Sequence, residues 1–200
     1  VADDSSGLAI IDISDPTNPG TPVYKDTDGR AWGVTVVGNY AYVADDSSGL
    51  AIIDISDPTN PGSPVYRDTS GRASNVTVVG NYAYVADYAP GLAIIDVSDP
   101  TSPGTPVYKD TNESARGVTV VGNYAYVADF TSGLAIIDIS DPTNPGTPVY
   151  KDTSGRAYGV SVLGNYAYVA DYTYGLAIID ISDPTNPGTP VYKDTSGYAS

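Results

Sequence analysis

Val-Ala-Asp at Val1 recurs at Val43, Val85, Val127 and Val169, a constant period of 42 residues that runs the whole length of the chain. A repeat of this length cannot bury a core by itself, so each unit must pack on its neighbours and the fold must be an array. No stretch of the unit shows helical periodicity. It reads instead as four short strands: Gly33–Val37 (A), Tyr40–Asp45 (B), Leu50–Ser56 (C) and Val65–Thr69 (D). The Gly38-Asn39 pair joins A to B as a two-residue hairpin. On C, both alternating faces, Leu50/Ile52/Asp54 and Ala51/Ile53/Ile55, are mostly apolar, which suits a sheet covered on both sides. Between C and D, Asp57–Pro64 holds three prolines and must be a loop. The predicted fold is all-β, a β-propeller of four-stranded antiparallel blades with five repeats.

The repeats carry a resemblance. Gly-Leu-Ala-Ile-Ile-Asp-Ile-Ser-Asp-Pro, preceded by Gly-Asn-Tyr-Ala-Tyr-Val-Ala-Asp, resembles the LVIVD repeat, a family named for strand C and found in bacterial and archaeal surface and secreted proteins. The resemblance implies a β-propeller and an extracellular or cell-surface setting. It implies no catalytic residues. Strands C and D occur five times, but strand A occurs four times, beginning at residues 33, 75, 117 and 159. The first blade therefore lacks A and half of B, and residues 1–200 are expected to be a single propeller array excerpted from a longer one.

Composition narrows function. The chain has no Cys, Met or His, which removes thiol chemistry, imidazole ligands and His-based catalytic triads. A net charge of −15 repels phosphate backbones, so nucleic acid is not an expected partner. No apolar run is long enough to cross a bilayer as a helix, so no membrane insertion is expected.

The copies differ mainly in two windows. The B–C loop reads Asp4-Ser5-Ser6, Asp46-Ser47-Ser48, Tyr88-Ala89-Pro90, Phe130-Thr131-Ser132 and Tyr172-Thr173-Tyr174. The D–A loop spans residues 28–32, 70–74, 112–116, 154–158 and 196–200. In an antiparallel meander both windows emerge on one face of the array. Their aromatics, Trp32, Tyr88, Phe130, Tyr158, Tyr172, Tyr174 and Tyr198, are the ligand-binding candidates, whereas the two strand-B tyrosines of each complete repeat read as packing residues. Two readings stay open here: a platform diversified to bind glycan or protein, and surface loops that drift freely.

Other constellations are weaker. Asp26-Thr27-Asp28-Gly29 suggests a calcium loop, but Asp28 is replaced by Ser70, Asn112, Ser154 and Ser196, so no metal or other cofactor is expected. The recurring Asp3, Asp12 and Asp15 positions read as local caps of Asx turns. Asn75-Val76-Thr77 and Asn112-Glu113-Ser114 fit the glycosylation pattern. Glycosidases work with two carboxylates alone, and the lone Glu113 could be one of them. The other acids repeat identically, however, whereas a catalytic pair needs two different environments, so we expect no enzyme. The expected function is a non-enzymatic binding module. The alternative is a self-assembling subunit of a fibre or surface layer, with copies of itself as partner through strand exchange at the incomplete blade.

Overall fold

The computed structural model describes residues 1–199. Eighteen strands form one two-stranded sheet and four four-stranded sheets, with no helix among the described residues. The first sheet holds β1 (Leu8–Ile10) and β2 (Val23–Lys25). The second holds β3 (Gly33–Val37), β4 (Tyr40–Ala44), β5 (Leu50–Asp54) and β6 (Val65–Arg67). The third holds β7 (Asn75–Val79), β8 (Tyr82–Ala86), β9 (Leu92–Asp96) and β10 (Val107–Lys109). The fourth holds β11 (Gly117–Val121), β12 (Tyr124–Ala128), β13 (Leu134–Asp138) and β14 (Val149–Lys151). The fifth holds β15 (Gly159–Leu163), β16 (Tyr166–Ala170), β17 (Leu176–Asp180) and β18 (Val191–Lys193). Every complete sheet is an antiparallel meander in chain order.

The hairpins follow from the glycines. Val37 pairs with Tyr40, leaving Gly38 and Asn39 as the turn, and Gly38 takes φ 57° while Asn39 stays at negative φ. Such a two-residue turn needs a first central residue that tolerates positive φ. The proline-rich C–D loop is pinned by its acids. Asp54 accepts the Ser56 N–H at 2.8 Å, Asp57 accepts the Thr59 N–H at 3.0 Å, and the Gly62 N–H donates back to the Asp54 carbonyl. These are the local caps expected of Asp12, Asp15 and their equivalents.

The core lies between sheets. Tyr42, Ala44, Leu50 and Ile52 on one face of the second sheet pack on Val76, Ala83, Val85, Ala93 and Ile95 of the third. The third packs on the fourth and the fourth on the fifth in the same way. Both faces of strand C are thus buried in the interior sheets, as the apolar pattern of Leu50–Ile53 predicts. The strands that begin each complete sheet run side by side along the inside of the array, and the Thr35 hydroxyl donates to the Val76 carbonyl of the neighbouring one.

The first sheet has only strands C and D, bordered on the inner side of β1 by the Ala2–Leu8 bridge. The array does not close. On the fifth sheet Tyr168, Leu176 and Ile178 are half-buried where their equivalents are covered, and at the other end Ile13 is 69% exposed. A far-ultraviolet circular dichroism spectrum should accordingly show a β signal without the double minimum of helix.

Candidate functional site

Four of the five D–A loops are fastened by the sheet that follows them. Asp87, at the end of β8, has no solvent exposure; its Oδ1 accepts the Thr69 hydroxyl at 2.6 Å and its Oδ2 the Gly71 N–H at 2.9 Å. Asp45, Asp129 and Asp171 repeat the arrangement with Thr27 and Gly29, Thr111 and Glu113, and Thr153 and Gly155. Burial pushes the Asp87 carboxyl up to about 6, against the hydrogen bonds that favour its charged form. Asp129 and Asp171 are raised for the same reason.

These strand-B aspartates differ from their predicted role. They are staples between consecutive repeats, reaching 16 to 18 residues back along the chain, rather than caps of their own turns. A second fastener was not predicted at all. The strand-D tyrosines Tyr66, Tyr108, Tyr150 and Tyr192 accept the N–H of Asp28, Ser70, Asn112 and Ser154 at 2.8–3.0 Å. The trace of these fasteners in the sequence is that the Asp, Thr and Tyr that form them never vary between repeats.

The B–C loop is tied to the same place. Its first residue, Asp4, Asp46, Tyr88, Phe130 or Tyr172, forms an isolated bridge with Ala31, Ala73, Ala115, Ala157 or Ala199 of the D–A loop, in which the alanine N–H donates to the carbonyl of its partner. All five take φ between 42° and 52°. Left-handed backbone costs a bulky side chain on the order of 1–2 kcal/mol, so Tyr88, Phe130 and Tyr172 are held in place by their surroundings.

The result is one row of rings and guanidinium groups along the variable face. Phe130 meets Tyr158 edge-on at 5.8 Å, Tyr158 meets Tyr172 at 5.4 Å, and Tyr172 stacks flat on Tyr198 at 4.3 Å with 4° between planes. Arg116 extends the row to Tyr88. Its guanidinium carbon lies 4.1 Å from the Tyr88 ring centre, 4.8 Å from Phe130 and 5.3 Å from Tyr158, and it donates to the Tyr88 hydroxyl. Arg72, forked onto Asp46, also lies over the Tyr88 ring, 5.3 Å from its centre.

Five of the seven predicted aromatics, Tyr88, Phe130, Tyr158, Tyr172 and Tyr198, therefore meet in one row. Tyr174 turns aside to the strand-D Tyr192 at 6.1 Å. Trp32 is exposed on the same face but joins none of these ring pairs. The three arginines that knit the row together, Arg72, Arg116 and Arg156, are not among the predicted site residues, although all lie in the variable D–A windows. Of the glycosylation candidates, Asn112 is exposed in a D–A loop, while Asn75 opens β7 and its Oδ1 accepts the Val118 N–H. The calcium-like Asp28 lends its backbone N–H to Tyr66.

Four-stranded antiparallel meanders packed face to face, with the variable loops gathered at one end, define a propeller-type repeat protein. The chain belongs to the LVIVD repeat family, whose repeat matches residues 1–23, 28–64, 70–107, 113–149 and 154–191. Among solved structures it is similar to a protein of unknown function from Desulfotomaculum acetoxidans DSM 771, with TM-score 0.70, 14% identity, 96% of this chain covered and 63% of that one. It is also similar to BamB from Moraxella catarrhalis, with TM-score 0.56, 20% identity, and 76% and 46% covered. The computationally designed Ika8 protein matches with TM-score 0.61, 11% identity, and 82% and 51% covered. The chain thus spans about half to two thirds of these chains, and at such identities the likeness shows the fold alone. No curated protein sequence matches it.

Proposed function

We propose that the chain is a non-enzymatic repeat module of a secreted or cell-surface protein that binds glycan or protein through its D–A and B–C loops. The observation that carries this reading is the row from Tyr88 to Tyr198, built on the loops that differ between otherwise near-identical repeats and fastened by parts that do not vary. A rigid scaffold with one diversified, aromatic-rich face suits recognition, because fixed rings lose little conformational freedom on binding. The reading calls for no metal or cofactor. Replacing Trp32, Tyr158 and Tyr172 together with alanine should abolish binding in a glycan and cell-surface adhesion screen; unchanged binding would remove the aromatic row from the account. Glu113→Gln provides the enzymatic comparison, with no Glu113-dependent polysaccharide hydrolysis expected.

A second reading, assembly through the end sheets, is favoured by their exposed apolar side chains. Leu163 and Val191 on the fifth sheet are 74% and 67% exposed, and a hollow of about 740 Å³ beside the first sheet is lined by Ile10, Ile11, Ile13 and Val23. Oligomers or fibres that disappear when Gly-Val-Thr-Val-Val-Gly-Asn-Tyr-Ala-Tyr is placed before Val1 would favour strand exchange. A monomer whose mass is constant across dilution and salt would exclude it.

A further inference from the structure

Four of the five arginines, Arg30, Arg72, Arg116 and Arg156, stand in D–A loops, but they fall into two kinds. Arg30 and Arg72 face carboxylates at the first B–C position, Asp4 at 3.6 Å and Asp46 at 2.6 Å. In the later repeats that position is aromatic. Arg116 and Arg156 lie over rings instead and form no ion pair among the described residues. Arg156 keeps the position of Arg30 and Arg72 but meets Phe130 where they meet a carboxylate, while Arg116 stands two residues further along its loop, where other repeats have Trp32, Ser74 and Tyr158. The aromatic half of the row thus holds two cations without a carboxylate partner, in a protein whose net charge is −15.

The two cations differ in what they can offer. Arg116 is enclosed by Tyr88, Phe130 and Tyr158, and its Nε is buried. Arg156 is exposed, 5.1 Å from the Phe130 ring centre, at the edge of an open depression of about 410 Å³. Tyr172 and Tyr174 line that depression, with the hydroxyls of Thr131, Ser154 and Thr173 beside them. A free guanidinium fork, an aromatic ring supported by its neighbours and several hydroxyls are the complements of a carboxylate, the C–H face of a pyranose and its hydroxyl groups.

We propose that this depression binds a saccharide bearing a single carboxylate, a uronic acid residue, with the acid on Arg156 and the sugar ring against the exposed Tyr174. The inference rests on reading the variable face as a binding surface and names its ligand class. One carboxylate is favoured over a run of them for two reasons. Exposed Asp152 lies in the adjoining hollow, which shares Thr131 with this one, and repels a second acid. The field of the whole protein also opposes the approach of a polyanion.

The test is titration of the intact 200-residue chain with a glucuronic acid–glucose disaccharide, cellobiose and trigalacturonate, followed by calorimetry and by the tyrosine ring resonances. The acidic disaccharide should bind at least tenfold more tightly than cellobiose and more tightly than trigalacturonate. Arg156→Gln should lower its affinity at least tenfold with an unchanged melting temperature. Arg156→Lys, which keeps the charge without the fork, should fall between, and Arg30→Gln should have no effect. Equal affinity for the acidic and neutral disaccharides, or an unaltered Arg156→Gln variant, overturns the acidic-ligand inference while leaving the binding surface standing. A Gly-Glu-Gly peptide that binds as tightly as the acidic disaccharide overturns the saccharide assignment. Failure of the Trp32, Tyr158 and Tyr172 replacements to affect any ligand overturns the binding surface itself.

Discussion

Replacing Asp87 with alanine should lower the free energy of unfolding by about 3 kcal/mol, measured as an earlier denaturation midpoint in urea. The loss comes from what is left behind. The Thr69 hydroxyl, in a residue only 3% exposed, and the Gly71 N–H would both lose their acceptor inside the junction between two sheets. A buried donor without a partner costs about 1–3 kcal/mol. Asp12→Ala makes the contrast, because Asp12 is exposed and its Ser14 N–H can turn to water; its midpoint should stay near that of the parent.

The same carboxyl gives stability an unusual dependence on pH. Asp87 is held at about 6 when folded and returns to about 4 when unfolded. Between those values the folded chain keeps a proton that the unfolded chain has released, so this group's contribution falls as pH rises from about 4 to 6. Asp129 and Asp171, also raised by burial, act in the same direction. The exposed loop acids do the opposite. Asp54, lowered first by the Ser56 backbone N–H, and Asp57, lowered first by the Thr59 hydroxyl, lose their contribution as pH drops through their folded values. Maximum stability is therefore expected near pH 4–5, below neutrality, and Asp87→Asn should flatten the decline between pH 4 and 7. An identical slope in that variant would show that Asp87 is ionised throughout.

Much of this architecture is legible in one 42-residue unit, because strand signals and turn residues are local. The sequence pattern puts strand A at Gly33–Val37, where β3 runs, while B, C and D end one or two residues earlier than the pattern suggests. The residues trimmed from those ends have other work. Asp45 leaves strand B to fasten the loop before it, and Thr69 leaves strand D to donate to Asp87. Neither contact is visible in a pattern, since both partners lie in different repeats. The variable windows located the candidate surface because near-identical copies make every difference stand out. They could not separate Tyr174, which turns to Tyr192, from Tyr172, which stacks on Tyr198 two residues away. That choice depends on backbone conformation, with Tyr172 at φ 42°.

Identical sequence also hides differences in burial, and this sets up the second large effect. Ile94 and Ile178 occupy the same place in the same Leu-Ala-Ile-Ile-Asp strand, yet Ile94 is covered by the fourth sheet at 2% exposure and Ile178 is only half-buried. Ile94→Ala removes packing on both sides of a sealed junction and should cost about 4 kcal/mol, within the range for fully buried aliphatic residues. Ile178→Ala removes side chain that already meets solvent and should cost about 1–2 kcal/mol. In an array whose units touch only their neighbours, the first substitution also uncouples the halves on either side of it, whereas the second loosens the last sheet alone. Denaturation of both variants at several protein concentrations then reports on the open face. If the cost of Ile178→Ala stays small at every concentration, the fifth sheet is bare in solution. If that cost climbs toward the Ile94 value as concentration rises, a second copy covers Tyr168, Leu176 and Ile178 much as the next repeat covers their equivalents, because mass action stabilises only what binds the folded form.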